Sequence, residues 1–161
     1  MKKMYLEMTK EDLKNLADAD LFEAVLHRTE SVVDQYLNWK DGVDALNPSQ
    51  KIFYSVEWLV IEVDNGGIVQ FFSNSSGMTA PFISEYLSLI GAYEHQKLYD
   101  DFILHHDIDV NDLSPFQLND VSEFLKLYDK YDSDTFDHAW YELDSLERYL
   151  TQYLRELLAD F

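Results

Sequence analysis

The stretch NPSQKIFYSVEWLVIEVDNGG, residues 47–67, decides the fold class. Asn47 stands where a side chain can cap a helix. Pro48 suits the first helical position, where its missing N–H would have no partner anyway, and Gln50 completes a capping pattern. Ile52, Phe53, Val56, Leu59, Val60 and Val63 then recur at steps of one helical face. Asn65-Gly66-Gly67 predicts a stop, with glycine supplying the left-handed residue after the last turn. Beyond it, Ile68, Val69, Phe71 and Phe72 form a short apolar run that fits either a helical turn or a strand. Asn74-Ser75-Ser76-Gly77 reads as a loop.

The same pattern extends in both directions. Thr9 with Asp12, and Asp20 with Glu23, have capping-box spacing. Leu21, Phe22, Val25, Leu26, Val32, Val33, Tyr36 and Leu37 predict one buried stripe on a helix ending near Asp41-Gly42. Downstream, Pro81 opens a helix that closes near Gly91, and another carries Leu98, Tyr99, Phe102 and Ile103 inward. Ser114-Pro115-Phe116-Gln117 repeats the cap-Pro pattern ahead of Leu118, Val121, Leu125 and Tyr128. From about Thr135 to the end the period stays helical, with a break expected near Asp144-Ser145. The expectation is an all-α single compact domain over residues 1–161, with about seven or eight helices.

Charge is the outlier. The chain has 31 acids and 12 bases, a net charge of −19, where a small soluble domain manages with a magnitude of about 2–8. Hydrophobic residues reach 47% and aromatics 15%, so this is not the composition of a disordered acidic chain. The imbalance is concentrated: Asp100 to Asp144 holds 13 acids against Lys126 and Lys130, net −11. Phosphates and anionic membrane surfaces would be repelled, so direct nucleic-acid or membrane binding is not expected. A basic protein partner is. No cysteine is present, which removes disulfides, thiolate metal sites and thiol nucleophiles, and the chain is expected to be cytoplasmic.

No catalytic motif is found, and no cofactor or metal is implied. His105-His106-Asp107 is the cluster richest in ligand types, but adjacent residues do not share a helix face, and histidine suits a helix C-terminus. A metal-dependent enzyme using these three residues is the alternative of a different class. Asp107-x-Asp109-x-Asn111 begins like a calcium loop but has Asp112 and Leu118 where glycine and glutamate belong. Glu57 and Glu62, five apart, do not form a carboxylate pair on one face.

The order of Glu62, Asn65-Gly66-Gly67, Gln70-Phe71-Phe72 and Gly77, followed by Leu89-Ile90-Gly91-Ala92, resembles the signature of a bacterial family of largely uncharacterised helical proteins. The family includes a dimeric DNA mimic whose acidic surface occupies a repressor in place of DNA. The resemblance implies a structural role for the signature residues, a homodimer, and a basic, DNA-binding partner. The contacts expected to carry that partner are Asp100, Asp101, Asp120, Glu123, Asp129, Asp132, Asp134 and Asp137. Acids one helical turn apart lie about 5–6 Å apart, close to phosphate spacing. An immunity or antitoxin-like protein covering a basic toxin has the same surface logic.

Overall fold

A computed structural model of the protein describes residues 2–161. Among the described residues there are ten α-helices and no strand. The chain is all-α, as the periodicity predicts. No described helix is long and apolar enough to cross a membrane. Two compact units are present: one holds residues up to Tyr54 together with Glu147–Phe161, the other Ser55–Leu146.

The first unit contains α1 (Lys2–Glu7), α2 (Lys10–Lys14), α3 (Asp18–Val33), α4 (Trp39–Asp44), the start of α5 (Pro48–Ser73) and most of α10 (Leu146–Glu156). Thr9 caps α2 through a reciprocal box with Asp12, as its spacing predicts. Asn47 and Gln50 form the same box at the start of α5: Gln50 N donates to Asn47 Oδ1 at 2.9 Å and Asn47 N to Gln50 Oε1 at 3.2 Å. Arg28 Nε donates to the Tyr5 carbonyl at 2.9 Å. Arg155 donates to the Asp18 carboxylate and to the Leu16 carbonyl, each at 2.7 Å. Its buried residues include Tyr5, Leu13, Leu21, Val25, Phe53, Leu150 and Leu154.

Two expectations in this unit are corrected. α3 begins at Asp18 after Ala17, so Asp20 lies inside the first turn, where the helix dipole favours an acid. α3 also ends at Val33 rather than near Gly42; Asn38 starts the separate α4 by accepting from Asp41 N at 2.9 Å. Tyr36 and Leu37 therefore fall in the connection and are exposed, not inward-facing.

The second unit contains the rest of α5, α6 (Ala80–Leu89), α7 (Tyr93–His105), α8 (Val121–Lys130) and α9 (Ser133–Glu142), with 3-10 turns at Ser75–Thr79 and Ser114–Phe116. Its core is aromatic. Phe72 has the rings of Phe116, Tyr99 and Phe102 at 5.0, 6.3 and 6.4 Å, and Phe102 meets Phe136 at 5.0 Å. Burying each such ring contributes roughly 1.5–3 kcal/mol. Asn65-Gly66-Gly67 breaks α5 but does not stop it: the dihedrals leave the helical region at Gly66 and Gly67, and helix resumes through Ile68–Ser73. Ser114-Pro115 opens only a 3-10 turn, and α8 starts at Val121 with Asp120 as its cap. The C-terminal break falls at extended Leu143, next to its expected place.

Candidate functional site

The break in α5 has consequences that reach across its unit. Interrupting a helix leaves the first N–H groups of the resumed segment without intrahelical acceptors. Ile68 N donates instead to Asp137 Oδ1 on α9 at 3.1 Å. Tyr128 Oη on α8 donates to Asp137 Oδ2 at 2.9 Å, and Ser133 Oγ to the same oxygen at 3.3 Å. One carboxylate thus ties three helices at the kink. Asp137 is 7% exposed. Burial, with some help from Asp134, pushes its carboxyl above the usual range despite the three donors. The Tyr128 hydroxyl is pushed up to about 12 by burial and by the carboxylate it donates to.

Gly67 makes this approach possible. Its φ of 78° and ψ of 177° lie in a region essentially reserved for glycine. A Cβ there would sit 2.2 Å from Asp137 Oδ2. On the other side of the break, Glu62 is 4% exposed. It accepts from Gln70 Nε2 at 2.8 Å, Asn74 Nδ2 at 2.8 Å and Ser76 Oγ at 2.9 Å. Phe71 and Phe72 fill the core, and a Cβ on Gly77 would meet the Phe71 carbonyl at 2.8 Å. The residues singled out in the sequence therefore form one knot. The glycines turn the chain, Glu62 and Gln70 lock the turn, and the phenylalanines anchor it. Asn65 is exposed beside the break.

The eight expected partner contacts divide. Asp100, Asp101, Asp120, Asp129, Asp132 and Asp134 are exposed, and Glu123 is half-buried. Asp137 is corrected: it faces inward as the knot's acceptor, because the α5 break needs one. Asp120 and Glu123 also hold structure: Asp120 accepts from Glu123 N at 3.0 Å, and Glu123 accepts from Asn119 N at 2.7 Å. Asp100 accepts from Ser84 Oγ at 3.0 Å, and Asp101 pairs with Lys97.

Two open clefts gather some of these acids. Asp101 and Asp132 line one of about 560 Å³ between α7 and α9, with His105, His106 and an apolar floor of Phe102 and Phe136. His106 packs on Phe102 and Tyr131 at 4.6 and 5.6 Å, and burial, then His105, lowers its basicity. Among the described residues no group of three metal-ligating side chains is arranged to hold an ion. Asp134 and Asp137 line the second cleft, of about 660 Å³, between the α5 break, α8 and α9. Asp64, Tyr141 and Glu142 join them there. Sequence reasoning missed these three: Asp64 lies on a helix read as a structural stripe, and only the kink brings it beside residues nearly eighty positions on.

A family model described as DMP19-like protein matches residues 44–157. No curated protein and no solved structure matches the chain.

Proposed function

The chain belongs to the DMP19-like protein family, and from that premise we propose that it is an acidic protein-binding module that mimics DNA. Its partner is a basic nucleic-acid-binding protein such as a transcriptional regulator. It blocks that partner by holding carboxylates where phosphates would sit. One observation carries the reading. Of the 13 acids between Asp100 and Asp144, 11 are exposed, one is half-buried and one is buried, against only two bases in the same stretch. Self-repulsion of this size works against folding. A functional surface gives it a reason that solubility alone does not require.

Binding of this kind is steered by long-range attraction and weakens as salt screens it. The test is a variant with Asp100, Asp101, Asp129, Asp132 and Asp134 all changed to Lys. None of the five carries a core contact, so the helical melt should persist. Capture of the basic partner from lysate of the producing cells should be lost. Undiminished capture by a folded variant would sink the proposal. The homodimer belongs to the same proposal, and light scattering of the purified protein measures it directly.

A further inference from the structure

The cleft beside the α5 break combines two features that call for one kind of occupant. Its walls are apolar and aromatic: Phe124, Leu125 and Tyr128 from α8, and Tyr141 from α9. The hydroxyls of Tyr128 and Tyr141 are engaged by Asp137 and by the Val63 carbonyl at 2.9 and 3.3 Å, which leaves the rings as walls. Its charge is predominantly negative. Asp64, Asp134, Asp137 and Glu142 line it, with His138 and no lysine or arginine among the described residues. Asp137 is saturated by its three donors, and Asp134 lies 3.5 Å from His138. Asp64 and Glu142 have no hydrogen-bond or ion-pair partner among the described residues. Asp64 and Glu142 are both exposed, and desolvation by the neighbouring cleft walls raises the Asp64 carboxyl above its usual range.

We propose that this cleft receives an arginine side chain of the basic protein partner, with its guanidinium between Asp64 and Glu142 and its stem along Phe124, Leu125 and the Tyr141 ring. The inference rests on the proposed function and names the group that would be recognised. An apolar occupant would strip water from two unpaired carboxylates without compensation. A phosphate would meet four acids. Lysine supplies the charge but not the planar fork. Guanidinium pairs with carboxylates in parallel bonds, stacks on aromatic rings and is more weakly hydrated, so it settles against an open cleft's aromatic wall at lower cost than an ammonium. A volume of about 660 Å³ is within the ordinary range for ligand clefts. It holds the side chain together with part of the backbone that carries it.

The experiment measures fluorescence anisotropy of a labelled arginine-rich peptide and its all-lysine counterpart against the full chain. Three variants are compared with the natural protein, each checked by thermal melt. They are Asp64→Asn with Glu142→Gln, Tyr141→Leu, and a control, Glu7→Gln with Asp34→Asn, which removes the same charge from the other unit. The natural chain is expected to prefer the arginine peptide by about three- to tenfold, the range of a stacked cation. The cleft double variant is expected to weaken that peptide about tenfold, one paired charge's worth. The control double variant should weaken it far less. Tyr141→Leu, which keeps the charge, should erase the preference over lysine. Equal losses in the two double variants, or no arginine preference, would remove the cleft from the account while leaving an acidic binding surface. Failure of the natural chain to bind either peptide would take down the proposed function as well.

Discussion

At the scale of single residues, the chemistry concentrates on three buried positions, Glu62, Gly67 and His95. Glu62 accepts three neutral donors in the core. Glu62→Gln puts an amide N–H₂ where an acceptor is required, so one or two donors lose their partners. The expected cost is about 1–3 kcal/mol per stranded group, read as a lower urea midpoint. Gly67→Ala adds strain at a glycine-only backbone position and a clash with the Asp137 carboxylate. It should cost at least about 2–3 kcal/mol, whereas Gly91→Asn, with open space around a similar φ, should cost much less. His95 is buried with its ring 5.0 Å from that of Trp140. Burial, outweighing nearby Asp144, lowers its pKa from 6.5 to about 4. In the unfolded chain the ring protonates near 6.5; in the folded chain it stays neutral until about 4. Folded stability is therefore untouched by this group above pH 6.5 and falls as pH drops through the window from 6.5 to about 4. An NMR titration of the His95 ring with a midpoint near 6.5 would contradict that environment.

At the scale of elements, the helices whose stripes face a core were legible, and the places where tertiary need overrides local signal were not. The box at Asn47 and Gln50 and the cap at Thr9 are local patterns that the structure forms as written, and of the stripe from Ile52 to Val63 it buries Phe53, Val56, Leu59 and Val63 while Ile52 and Val60 stay half-buried. Asn65-Gly66-Gly67 carries a stop signal, yet Asp137, on a helix far along the chain, supplies the missing acceptor and lets the helix resume. No pattern within a short window can contain that partner. The same reason hid the second cleft, because only the fold brings Asp64 and Glu142 to one cleft. Asp137 looked like a surface acid because its spacing from Asp134 fits an exposed helical pair; its burial is decided by α5 and α8. α8 shows the opposite balance. It has no fully buried residue and depends on its ends, where Asp120 caps Glu123 N. Asp120→Ala should cost about 1 kcal/mol and speed amide exchange in the first turn of α8 roughly fivefold, with the Phe72 cluster unaffected. Uniform loss of protection through the unit would show that α8 is not the weakly held element described.

At the scale of the whole molecule, the knot and the acids have separate work. The knot consumes Glu62 and Asp137 and fixes the helices, while the remaining acids of the Asp100–Asp144 stretch, apart from half-buried Glu123, stay at the surface. A chain of net charge −19 should bind a basic partner with a steep inverse dependence on salt, and acidification into the carboxylate range, about pH 4, should weaken binding. Purely solubilising charge would give neither effect on a defined complex. The central claim is competition with nucleic acid for one partner. Its most direct measurement is displacement. The protein is immobilised and loaded from lysate of the producing cells at low salt. The retained complex is then washed with duplex DNA, and what elutes is identified. The account predicts release of a basic DNA-binding protein by duplex DNA, and separately by high salt. Retention of a partner that DNA cannot displace, or of no partner at all, would contradict it.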